Sequence, residues 1–139
     1  MDIGSSTGGF TQVLIERGAG KVFAVDCGKN QLHYSLRSNK DIISIENKKI
    51  TDIKQNDIDL NIDFAVMDVS FTSSLHIIYY LFDEFSLSEL VVLIKPQFEY
   101  ERLKDILNLT EDFKGIVKTD EERIKIINFL KNEIMCLLC

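Results

Sequence analysis

The sequence contains one proline and no tryptophan in 139 residues. With so little proline and no low-complexity tract, nothing in it reads as a linker, and the length suits one domain with a continuous core. Long apolar runs are missing too. The longest aliphatic stretch, Leu90–Ile94, falls far short of the ~20 residues a membrane span needs, so no membrane insertion is expected. Basic residues are in the minority, 16 Lys and Arg against 22 Asp and Glu, for a net charge of −6. Such a chain has no general attraction for nucleic acid, and an RNA substrate would need a local basic face or a partner domain. Three cysteines, an odd number, with no secretory pattern ahead of the first strand, predict a reducing, cytoplasmic setting. The remainder, 45% hydrophobic and 27% charged, is ordinary for a globular protein.

Glycine is scarce as well, yet three of the seven glycines fall within six positions, at Gly4, Gly8 and Gly9. They follow Asp2 at the end of a short apolar segment and precede an amphipathic run, which predicts strand, tight turn and helix. A phosphate-cradling loop would need a lysine where Phe10 stands, and the dinucleotide fingerprint fails because Ser6 holds its second glycine position. What remains is D-x-G-x-x-x-G-G-F. It resembles motif I of S-adenosylmethionine (SAM) methyltransferases, in which the turn makes room for the amino-acid end of the cofactor. By itself, such a turn also suits a plain strand-to-helix connection.

The rest of the chain alternates. Residues 8–17 predict a helix with Phe10, Val13 and Leu14 on one face, closed by Gly18. Residues 21–26 form an apolar strand ending in Asp26, a carboxylate placed to take a pair of ribose hydroxyls. A helix is expected within 28–39, a third strand over 42–46 ending in Glu46 near the adenine, and an irregular stretch over 48–61. A fourth strand, 63–68, ends in Asp68. A helix over 73–85 carries Leu75, Ile78, Leu81, Phe82 and Phe85, and a fifth strand, 90–95, ends in Lys95 before Pro96. Residues 100–114 read as a charged, mobile excursion. Thr119 to Glu122 form a capping box opening a helix with Ile124, Ile127, Leu130 and Ile134 inward. Alternation of this kind predicts an α/β fold, a mostly parallel sheet with helices on both faces and ligands at the carboxyl ends of its strands.

Asp2, Asp26, Glu46, Asp68 and Lys95 each end a predicted strand, so five charged residues converge on that rim. Partial desolvation there would lower the lysine pKa and make Lys95 a proton acceptor, with Asp68 orienting it and an incoming hydroxyl. A snorkelling lysine is the plainer alternative.

The segments DIGSSTGGFT (2–11), KVFAVDCGKNQL (21–32), DVSF (68–71), KPQFE (95–99) and GIVKTDEE (115–122) together resemble the TlyA haemolysin-like branch of the FtsJ-type RNA 2′-O-ribose methyltransferases. The resemblance runs from residue 2 to about 134. It implies a Rossmann-like SAM fold over 1–139 and methylation of ribosomal RNA on the ribose 2′-OH. Carried over by motif, Asp2, Gly4, Ser5, Gly8, Gly9, Phe10 and Asp26 would hold SAM, and Asp68 and Lys95 would be the middle pair of a Lys-Asp-Lys-Glu catalytic tetrad; Glu46 and Asp68 join the expected cofactor residues from their places at the strand ends. The outer Lys and Glu of that tetrad, the family's S4-type RNA-binding domain and the ends of the first and last strands have no counterpart in the 139 residues. The resemblance therefore implies a methyltransferase fragment or short form, with a non-catalytic SAM-binding domain as the alternative. A base N-methyltransferase would need prolines that Asp68–Phe71 lacks, and no basic amphipathic helix or lipidation signal supports a membrane-lytic role. Cys136 and Cys139 have metal spacing but no second pair, and His33 and His76 stand alone.

Overall fold

The computed structural model describes residues 1–110 and 112–137. The chain packs as two compact units: residues 1–69 with 80–93, and residues 70–79 with the chain from 94 onward.

The first unit holds the whole sheet: β1 (Asp2–Ile3), β2 (Val22–Asp26), β3 (Ile42–Glu46), β4 (Phe64–Met67) and β5 (Glu89–Val92). All pairings are parallel, in the order β3-β2-β1-β4-β5. The chain thus starts in the middle of the sheet, winds outward through β2 and β3, then crosses back to β4 beside β1. That reversal is where open α/β sheets leave a crevice for ligands. β2 is buried along its full length, its four apolar residues Val22 to Val25 covered on both faces before it ends in Asp26.

Helix α1 (Gly9–Glu16) is closed by Gly18, whose φ of +91° and N–H bond to the Ile15 carbonyl make the glycine stop expected from sequence. Its packing differs from the expected stripe. Thr11 is its buried residue, whereas Phe10 and Val13 are 40% and 46% exposed. Helix α2 is only Tyr34–Arg37, because the backbone N–H groups of residues 30–32 are drawn to Glu46 instead of a helical turn. The polar stretch after β3 is anchored as well: Ile50, Ile53 and Ile58 are buried around two short 3₁₀ turns, and Tyr80 donates to the Ile53 carbonyl.

The second unit contains the start of α3 (Ser74–Glu84), α4 (Pro96–Leu103) and α5 (Asp120–Leu137). Its core joins Leu75, Tyr100, Leu103, Leu109, Val117, Ile126 and Leu130. Residues 100–114, expected as a mobile excursion, supply three of these, and Tyr100 stacks on Phe113 at 4.3 Å and 8°. In α5 the buried face runs through Glu122, Ile126 and Leu130, while Ile124 and Ile127 are exposed. Leu130 and Ile134 face the core as expected, and Ile126 rather than Ile124 or Ile127 completes that face. Half of the expected capping box forms, the Glu122 N–H donating to Thr119 Oγ1, but the Glu122 carboxylate takes the Thr110 N–H.

Glu99 sets the entry to α3. Its carboxylate is 1% exposed and accepts both the N–H and the hydroxyl of Ser74, each at 2.6 Å. This acid lies 25 residues from the helix it caps, and no local pattern announces it. Glu99→Ala leaves those donors buried without their acceptor. It is expected to cost about 2 kcal/mol in a urea titration, and an unchanged midpoint would show that the cap is not structural.

Candidate cofactor site and substrate-facing residues

The glycine turn leaves β1 at Gly4, whose φ is +80° and whose missing Cβ would fall on the Asp68 carbonyl oxygen. The N–H groups of Gly4 and Ser5 both donate to the Val25 carbonyl, at 2.9 and 3.1 Å, which ties the turn to the end of β2. Gly8, at φ +103°, caps α1, and a side chain there would strike Leu32 and Leu36. Glycine is thus required by the protein itself at positions 4 and 8. Position 9 differs. A Cβ there would meet nothing within 4 Å, so the fold gives no steric reason for glycine.

Asp26, the last residue of β2, clamps this turn. One oxygen takes the Ser6 N–H at 2.8 Å and the other the Gly28 N–H at 2.7 Å. A carboxylate has about four acceptor sites, so both oxygens keep capacity for a ligand's hydroxyls.

Glu46, the last residue of β3, is already held by four donors. It accepts from the N–H groups of Asn30, Gln31 and Leu32 and from Arg37 at 2.6 Å. These donors, the arginine foremost, hold its pKa down to about 2. Glu46 therefore shapes the loop after β2. Because its folded pKa lies below the ordinary value of 4.5, the ionised form belongs to the folded loop: this contribution is complete above pH 4.5 and is lost as pH falls through 2. The Glu46 carboxyl should titrate near pH 2 by carbon NMR, together with the amide shifts of residues 30–32. A midpoint near 4.5 would contradict the clamp.

Asp2 does not stand at an open rim. It is fully buried within β1, with Oδ2 accepting from Thr11 Oγ1 at 2.6 Å and Oδ1 meeting no partner. Burial pushes its carboxyl up, against the opposing Thr11 hydrogen bond. Of the five residues expected at strand ends, Asp26 and Glu46 end theirs, Asp68 follows β4, and Lys95 lies beyond the end of β5. β5 stops at Val92 because Ile94 packs into the second core instead of continuing the sheet. Ser5 is buried in the turn, and Phe10 lies half exposed at the start of α1 rather than in a core.

In the second unit, Lys95 precedes α4, donates to Ser70 Oγ at 3.1 Å and stands 5.9 Å from the Phe98 ring centre. Phe71 is 91% exposed in a left-handed conformation, φ 60°, with its ring 5.0 Å from that of Phe98. A bulky residue at positive φ is strained, and burial does not compensate Phe71.

The family model described as FtsJ-like methyltransferase matches residues 1–134. The chain belongs to the FtsJ-like methyltransferase family. It is 43% identical over 125 residues to the 23S rRNA (cytidine-2′-O)-methyltransferase TlyA of Campylobacter jejuni, covering 90% of this chain and 46% of that protein. It is likewise 43% identical over 130 residues to Hemolysin A of Brachyspira hyodysenteriae, covering 92% and 52%. Among solved structures, a hemolysin candidate from Streptococcus thermophilus superposes with a TM-score of 0.81 at 33% identity, over 94% of this chain and 46% of that one. The chain spans about half the length of the curated relatives it matches. Among the described residues no helix is long and apolar enough to cross a membrane, and no cluster suits a metal ion. Cys136 is exposed, and Cys139 lies outside the described residues.

The first unit suits the cofactor of this family on three counts. Asp26 has spare acceptor sites beside the turn, Gly9 faces open space, and Asp2 Oδ1 is a buried acceptor without a partner.

Proposed function

We propose that the chain binds SAM and methylates a ribose 2′-oxygen of ribosomal RNA in the cytoplasm. The observation that carries this reading is the Asp26 clamp: a strand-end carboxylate holding a glycine turn through Ser6 and Gly28 while keeping acceptor capacity on both oxygens, in a chain 43% identical to a cytidine-2′-O-methyltransferase.

When bound, SAM supplies a methyl group activated by its sulfonium. Asp26 would accept the cofactor's ribose hydroxyls. Gly4, Ser5, Gly8 and Gly9 would let its amino-acid end pass close to the backbone, beside Asp2, Phe10 and Asp68. Lys95 would take the proton of the 2′-hydroxyl as its oxygen bonds to the methyl carbon and the sulfur–carbon bond breaks, with Asp68 as the acid of the catalytic pair. In-line placement of the hydroxyl does most of the work in such a transfer. Phe71 and Phe98 would stack the target base, since exposed rings held in place are how single-stranded RNA is gripped.

The test is transfer of tritiated methyl from SAM to ribosomal RNA, followed by nuclease mapping of the labelled position. Label on a ribose supports the reading, and label on a base overturns it. SAM binding with no transfer to any rRNA would favour the non-catalytic alternative.

A further inference from the structure

Gly28, two residues beyond β2, makes room for one particular side chain. A Cβ there would fall on the side-chain amide of Gln31, with Asp26 Oδ1 3.0 Å from the same point. The Gln31 carboxamide therefore folds back over Gly28 and ends beside the Asp26 carboxylate. Its backbone is fixed in that place. The loop turns at Asn30, whose φ is 55°, and Glu46 takes the N–H groups of Asn30, Gln31 and Leu32. Leu32 is in turn buried beside Gly8. Gln31 is thus an exposed side chain on an anchored backbone, and among the described residues its carboxamide has no hydrogen-bond partner.

The chemistry of the two groups is complementary. An ionised carboxylate only accepts, whereas a carboxamide also carries two N–H donors. A ligand hydroxyl has one hydrogen to give and two lone pairs to be served. Asp26 can take the hydrogen and do nothing for the lone pairs. The backbone donors beside it cannot help, because the N–H groups of Ser6 and Gly28 are already spent on the Asp26 oxygens. The Gln31 amide supplies the donor that this corner lacks.

We propose that Gln31 binds the cofactor, its side-chain N–H donating to a ribose hydroxyl whose hydrogen Asp26 accepts. This rests on the reading of the Asp26 turn as a SAM site and adds to it the group that recognises an intact ribose. A site built to hydrogen-bond a hydroxyl rejects the analogue lacking it far more sharply than an apolar contact does, because its own polar groups are then left unpaired. Glu46 acts here at one remove, by holding the backbone from which Gln31 reaches back.

The test is calorimetric titration with S-adenosylhomocysteine and with its 2′-deoxy and 3′-deoxy analogues. Gln31→Leu keeps the size of the side chain and removes its polar atoms. Its affinity for S-adenosylhomocysteine is expected to fall about 3- to 10-fold, with the melting temperature unchanged because the side chain is exposed. At least one deoxy analogue should bind this variant and the parent equally, since the hydroxyl that Gln31 serves is then gone. Gln31→Glu keeps the shape but cannot donate once ionised, and should lose at least as much. Either variant binding S-adenosylhomocysteine like the parent would overturn the proposal and leave the Asp26 reading intact. An equal loss for S-adenosylhomocysteine and both analogues would assign the effect to loop shape and overturn it too. No binding by a folded parent chain would overturn the reading and the proposal together.

Discussion

Gly4→Ala is expected to lower the melting temperature by roughly 10–20 °C and to remove S-adenosylhomocysteine binding. Two penalties add. A Cβ at φ +80° costs about 1–2 kcal/mol from backbone strain alone. The same Cβ collides with the Asp68 carbonyl, a backbone atom pinned by the Asp68 N–H bond to Ile3, so relief requires moving β1 against β4. Overpacking of that kind costs about 1–3 kcal/mol more. The total is a large share of a stability of about 5–15 kcal/mol, and for a chain of this size it converts to the shift stated. Gly9→Ala is the informative partner. It meets no atom of the protein and replaces glycine in a helix with the best helix former, so the melting temperature should hold or rise slightly. If a ligand passes over that face, binding should still weaken. A Gly4→Ala protein that melts like the parent would show that the turn is not where the strain lies.

Lys95→Ala is expected to lower methyl transfer by about 10²- to 10⁴-fold, the range for losing a positioned base, with S-adenosylhomocysteine affinity unchanged. The ammonium donates to the Ser70 hydroxyl and approaches the Phe98 ring, and neither of those residues belongs to the glycine turn. Lys95→Arg keeps the charge but not a usable base, because guanidinium stays protonated. It should therefore be nearly as slow as alanine, whereas a purely electrostatic role would let arginine rescue the rate.

Much of this was readable from the sequence where local pattern and burial agree. β2 and β3 are apolar runs ending in acids, and α1 is bracketed by glycines, so their positions follow from propensity. Legibility failed wherever the decisive partner was distant. Leu93 and Ile94 look like strand, but Ile94 packs in the second core. Tyr100, Leu103 and Leu109 are buried among charged neighbours that mask their spacing. Glu46 resembled a rim ligand until its four donors were placed, three of them backbone amides that no side-chain pattern encodes. Asp2 was read as a rim acid, but the hydroxyl of Thr11 holds it inside. Phe71 gave no signal, because a left-handed φ at phenylalanine is a property of the fold rather than of the residue.

The central claim is that Asp26 holds the cofactor, and calorimetric titration of the chain with S-adenosylhomocysteine, beside Asp26→Ala, tests it most directly. The account predicts micromolar binding by the parent chain and a loss of at least about 2 kcal/mol, some thirtyfold, in the variant, since one carboxylate releases charge-assisted bonds to both ligand and turn. Equal affinity of the two proteins, or no heat from a folded parent chain, would contradict it.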